Sequence, residues 1–223
     1  MKGLIKKDFY LIRFQLIGAL IGMLLLGYLC FSVASGRNFE TTSGYVMRIV
    51  LPTLIDYVVI VIGSSFFLNT IAEDLRCGWV KLQRAMPVTE KQTVGAKLIS
   101  TYILIVALVL FSTLFNLLFW ANYGGTLELV MTIPLCIGLF QVISLSPVFP
   151  IGQRYGVNLA QTLYIILEII ITIVAAVAMF PALSGEISLF ALRTAFYVVL
   201  PLLAAVVGAV SFLWGSKLLS ADI

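Results

Sequence analysis

The stretch Ala72-Glu-Asp-Leu-Arg-Cys-Gly-Trp-Val-Lys-Leu-Gln-Arg-Ala-Met-Pro-Val-Thr-Glu-Lys-Gln-Thr-Val-Gly-Ala-Lys97 is the least hydrophobic part of the chain and separates two long apolar runs. Arg76, Lys81, Arg84, Lys91 and Lys97 crowd into it, while the segments on either side are almost uncharged. A run of about twenty apolar residues is what a helix needs to cross a bilayer. The stretch therefore reads as a polar island between two membrane-spanning helices.

At 100° per residue, Leu75, Trp79, Leu82 and Met86 fall on one face, with Arg76, Lys81 and Arg84 spread around the rest. This spacing predicts a short amphipathic helix, whose apolar face either docks a partner or lies on the membrane surface or under the bundle. Pro87 stops it, because proline has no N–H for the ladder and biases the residue before it away from the helical region. Thr89-Glu-Lys-Gln92 then has the form of a capping box, with the Thr89 hydroxyl set for the Gln92 N–H and the Gln92 side chain reaching back. The island is expected as helix, hard turn, helix.

Composition supports the same reading. With 61% hydrophobic and 11% charged residues and a mean hydropathy of +1.12, the chain lacks the polar surface to cover a soluble core; soluble domains carry about 25% charged residues. The bilayer must solvate most side chains, and the fold class is an all-α integral membrane protein. The absence of histidine removes His-based general bases, Ser-His-Asp triads and H-E-x-x-H metal chemistry. Cys30, Cys77 and Cys136 have no C-x-x-C spacing, so neither a disulfide framework nor a zinc site follows. No phosphate-binding glycine motif is present, so no nucleotide is expected on this chain. The net charge of +4 sits beside apolar segments, where it orients the chain and meets anionic lipid rather than nucleic acid. No catalytic and no metal-ligating residue is proposed.

In chain order, residues 1–14 read either as an interfacial helix or as an ordinary positive-inside flank, and 15–35 as the first span, too long an apolar run for a signal peptide. Further spans are expected at 48–71, 98–121, 129–151, 157–180 and 190–214, with 72–97 as the coupling region between the second and third. The segment 178–190, broken by Pro181 and Gly185, reads as a re-entrant or surface helix or as a plain loop. Trp120, Tyr123, Tyr155 and Trp214 stand at span ends, as interfacial aromatics do. Six spans put both termini on one side. If that side also holds the island and the Gly152–Gly156 turn, it collects all of the 14 Lys and Arg except Arg37, Arg48 and Arg193. The positive-inside bias makes it cytosolic.

Asp56 and Glu168 are isolated carboxylates inside spans, where a charge costs about 2.5–3.5 kcal/mol on insertion scales. Each needs a partner, water or a proton. Two readings stay open: a proton or ion site, or a buried or cleft-lining carboxyl bonded to neighbours such as Thr53, Asn69, Asn116 or Gln161.

The residues resemble those of the ABC-2 type transporter permeases, in particular the small bacterial ones with a basic-aromatic beginning, here Met1-Lys-Gly-Leu-Ile-Lys-Lys-Asp-Phe9. The resemblance runs through Glu73-Asp74, Gly78-Trp79, Lys81-Leu82, Ala85-Met-Pro-Val-Thr89, Lys91-Gln92 and Lys97, and again through Ser146-Pro-Val-Phe-Pro-Ile-Gly152 and Tyr155-Gly156. At Pro150-Ile-Gly152 the chain departs from the basic triplet that the family often carries. The resemblance implies a six-helix permease of the bacterial cell membrane that pairs with a second copy. Each copy would dock on a separate cytosolic ABC ATPase, which binds the ATP and Mg²⁺. Leu75, Gly78, Trp79, Lys81, Leu82, Arg84, Met86 and Pro87 are the implied docking residues, with Trp79 as anchor. Such permeases are associated with export of amphipathic or antimicrobial-type peptides, and of drugs and lipids. Two other classes stand beside this one: a proton- or ion-coupled secondary transporter built on Asp56 and Glu168, and a non-transporting immunity or assembly protein.

Overall fold

The computed structural model describes residues 2–35, 51–79, 89–124, 127–183 and 195–220. Six of its helices are long and apolar enough to cross a membrane. They are α1 (Lys2–Ser35), α2 (Leu51–Arg76), α3 (Glu90–Tyr123), α4 (Leu127–Tyr155), α5 (Val157–Leu183) and α6 (Leu200–Ser220, preceded by a π-helical turn at Ala195–Val199). Strings of exposed leucine, isoleucine and valine cover the outside, as on Leu110, Leu114 and Leu118 of α3 or Ile169, Ile173 and Val174 of α5. A water-soluble surface could not carry them; lipid can.

The expected interfacial segment and first span are one continuous helix, Lys2–Ser35. Its inward face carries Asp8 and Ile12, both buried. At the other end, Phe31 packs on Phe115, Phe119 and Tyr123 of α3, and the Tyr123 hydroxyl donates to the Phe31 carbonyl at 3.1 Å. The first residues of α3 confirm the capping box: the Gln92 N–H donates to Thr89 Oγ1 and the Thr89 N–H to Gln92 Oε1, both at 3.3 Å. α3 has 34 residues, about 51 Å at 1.5 Å per residue, so it extends beyond a hydrocarbon core of about 30 Å.

α4 packs against α3, α5 and α6 and contains Pro134, Pro147 and Pro150 without breaking. Close approach to α3 depends on Gly138, where an added Cβ would stand 2.4 Å from Val109; small residues permit such contacts between membrane helices. α4 passes into α5 through Gly156 alone, at φ +101°, with its N–H on the Gly152 carbonyl at 3.0 Å. α5 continues past Pro181 to Leu183; the rest of the 178–190 segment lies outside the described residues.

α2 contains a π-helical turn at Val58–Ile62. In an unbroken α-helix Asp56 and Ser64, eight residues apart in sequence, would point about 80° apart. A π turn accommodates about one extra residue and removes most of that difference. Asp56 and Ser64 are both fully buried. The core around them is edge-to-face aromatic, Phe67 of α2 packing on Phe9 of α1 and Phe149 of α4.

Candidate functional site

Four charges close a ring at one end of the bundle. Lys7 Nζ lies 2.5 Å from Asp74 Oδ1 and Lys97 Nζ 2.8 Å from Asp74 Oδ2. Lys97 Nζ also lies 2.7 Å from Asp8 Oδ1, with Lys7 Nζ at 3.8 Å from the same oxygen. The Ser100 hydroxyl donates to Asp8 Oδ2 at 3.1 Å. Two acids and two bases balance, and Asp8, Asp74 and Lys97 are buried. Such an ensemble persists only when every charge is matched, because an ion left alone in a low-dielectric interior is costly.

The ring joins the first turns of α1, the last turn of α2 and the second turn of α3. It therefore holds both ends of the polar island, Asp74 where the chain leaves α2 and Lys97 where it is committed to α3. At this same end Arg154, in the last turn of α4, donates from Nη1 to the Leu218 carbonyl of α6 at 2.6 Å. The beginnings of α1, α3 and α5 and the ends of α2, α4 and α6 thus lie together, as six antiparallel spans require.

Sequence reading placed Lys7 and Lys97 among the positive-inside charges and missed the ring. Its members are 67 and 89 residues apart in chain, beyond any local spacing rule. One signal was present: Asp8 sits four residues before Ile12 and eight before Leu16, on the apolar stripe of α1, where an acid needs a partner.

The island begins with a backbone stop. α2 ends at Arg76, the Cys77 N–H bonds the Glu73 carbonyl at 2.9 Å, and the Gly78 N–H bonds the Leu75 carbonyl at 3.2 Å. Gly78 has φ +65°, the left-handed conformation that closes a helix and favours glycine. Gly78 therefore acts through its backbone. Leu75, exposed, belongs to α2, and Trp79 follows the turn, so the stripe expected from Leu75 to Met86 divides at Gly78. Trp79 is half-buried, with the Lys7 ammonium 4.3 Å from its ring centroid, a cation–π contact that links it to the ring of charges. Lys81, Leu82, Arg84, Met86 and Pro87 lie outside the described residues.

The two intramembrane acids have separate surroundings. Ser112 donates to Asp56 Oδ1 and Asn116 Nδ2 to Asp56 Oδ2 at 2.8 Å, so one of the expected neighbours, Asn116, is confirmed. Asp56 precedes Asp74 by 18 residues of α2, roughly 27 Å along its axis, and so lies toward the opposite end of the bundle. Glu168 Oε1 accepts from Gln141 Nε2 at 2.9 Å and from the Ser144 hydroxyl at 2.6 Å. Gln141 Oε1 in turn accepts from Ser64 Oγ at 2.7 Å and Tyr164 OH at 3.0 Å. This network joins α2, α4 and α5 at mid-height. Gln161, the expected neighbour on α5, is exposed instead. The serine, asparagine, glutamine and tyrosine partners are all neutral, so the arrangement suits packing by hydrogen bonds. Among the described residues no group of acidic or sulfur side chains is placed to hold a metal ion.

The chain matches the family model described as ABC-2 family transporter protein over residues 3–220. No curated protein and no solved structure matches it.

Proposed function

This chain belongs to the ABC-2 family of transporter proteins, and on that premise we propose that it is the permease of an ATP-driven exporter of amphipathic peptides or hydrophobic compounds. As an ABC-2 permease it is a membrane subunit of an ABC transporter and works with an ABC ATPase. In the proposed arrangement two copies form the translocation path in a bacterial cell membrane, both termini face the cytosol, and the partner ATPase binds ATP and Mg²⁺. The part of the island from Leu75 to Pro87 docks on that ATPase.

The observation that supports coupling at this place is the ring of Lys7, Asp8, Asp74 and Lys97. A force applied to the island reaches α1, α2 and α3 together, because its two ends are tied to each other and to the beginning of α1. Trp79, held by Lys7, is the docking residue that passes the force to the ring. An amphipathic substrate suits the family resemblance and a bundle whose lipid-facing sides are apolar.

The test is co-purification of the tagged permease with its ATPase, then ATP hydrolysis and peptide transport in lipid vesicles. Trp79→Ala and Leu82→Asp should leave the permease in the membrane and detach or uncouple the ATPase. Wild-type binding and transport by both variants would remove the docking reading.

A further inference from the structure

We propose that the outward stripe of α1 bearing Lys6 and Arg13 binds the phosphate headgroup of an anionic phospholipid. The inward face of α1 places Lys7 and Asp8 in the closed ring of charges. The outward face carries Lys6, Tyr10 and Arg13 at i, i+4 and i+7, all exposed. Among the described residues neither Lys6 nor Arg13 has a carboxylate partner.

The Arg13 guanidinium is instead held between rings, 3.9 Å from the Tyr10 centroid and 4.6 Å from that of Phe14. Contact with two rings restrains the guanidinium, whose fork of N–H donors is suited to meet phosphate oxygens in pairs. Above it the same stripe continues as Ile17 and Ile21, 54% and 55% exposed. A cationic base below an apolar track matches one molecule end to end: headgroup on Lys6 and Arg13, acyl chain along the isoleucines.

Depth favours lipid over a soluble partner. Arg13 follows Asp8 by five residues, about 8 Å farther into the bundle from the ring of charges. Phe14 beside it is 71% exposed, a ring that belongs at the membrane interface rather than in water.

The test uses the purified full-length chain in detergent, titrated with phosphatidylglycerol or phosphatidylcholine of identical acyl chains, with bound lipid counted by native mass spectrometry. Wild type should prefer phosphatidylglycerol. Arg13→Gln should cut that preference about fivefold, the loss expected for one basic side chain at an anionic surface. Lys6→Gln combined with Arg13→Gln should abolish it, and Arg13→Lys should retain part of it. Gel filtration and thermal melting of each variant check folding, which these exposed positions should leave unchanged. Equal binding of the two lipids, or an undiminished preference in the double variant, would overturn the proposal. So would complete displacement of phosphatidylglycerol by inorganic phosphate alone, which would make the site one for free anions.

Discussion

Lys97 Nζ stands 2.7 Å from Asp8 Oδ1 and 2.8 Å from Asp74 Oδ2, so a single ammonium of α3 bridges carboxylates from α1 and α2. Lys97→Met would leave both carboxylates facing Lys7 alone. Breaking a buried ion pair from one side costs about 3–5 kcal/mol, and the variant should melt well below wild type in detergent. Adding Asp8→Leu should restore much of the loss, because an apolar pair needs no counter-ion. The check is thermal unfolding followed by size exclusion; melting of Lys97→Met at the wild-type temperature would mean that the ring holds nothing together.

Gly78→Ala places a Cβ on a residue at φ +65°, a strain of about 1 kcal/mol. The direction of the chain leaving α2 depends on that turn, and so does the position of Trp79 beneath Lys7. ATP hydrolysis by the assembled transporter should respond less to substrate, while permease abundance stays near wild type. Unaltered substrate stimulation would show that the turn does not guide the island.

For the buried acids the expected contrast lies between amide and hydrocarbon. Asp56→Asn and Glu168→Gln keep shape and hydrogen-bonding capacity, and transport should largely survive. Asp56→Leu leaves Ser112 and Asn116 without their shared acceptor and should cost about 1–3 kcal/mol. Loss of transport in either amide variant, with folding and ATP turnover intact, would favour a proton- or ion-coupled step.

Topology can be read by thiol labelling in intact cells after Cys30, Cys77 and Cys136 are replaced. Asn38→Cys and Ser184→Cys should react with an impermeant reagent, whereas Gln83→Cys and Ser220→Cys should be protected. Labelling of Gln83→Cys from outside would place the island on the wrong side for an ATPase.

The charges within the island should matter less than its apolar side. Exposed ion pairs contribute roughly 0–1 kcal/mol, so Arg84→Ala should weaken ATPase association only modestly and make it more sensitive to salt. Pro87→Ala should blunt coupling while association persists. Full dissociation caused by Arg84→Ala in co-purification would reverse this ranking.

What could be read from the sequence was periodic or local. Hydropathy runs announced six apolar helices, and Thr89 with Gln92, three residues apart, announced the start of α3 because both bonds of the cap lie within one turn. Asn116 was among the neighbours named for the two acids taken together, but Gln141, Ser144 and Tyr164 were not, since nothing in α5 specifies which face of α4 will meet Glu168. The ring of charges stayed hidden for the same reason. Helical spacing also carried Leu75 and Trp79 onto one face, because a count at 100° per residue passes through a glycine that the backbone uses to stop.

Gly156, the single residue between α4 and α5, limits where the bundle can part. Adjacent Cα atoms are about 3.8 Å apart, so the end of α4 and the beginning of α5 are leashed whatever the rest of the chain does. They can splay only at their far ends. A molecule moving sideways at the leashed end cannot pass between α4 and α5 and must use another seam, whereas the far end leaves room for a V-shaped opening between them.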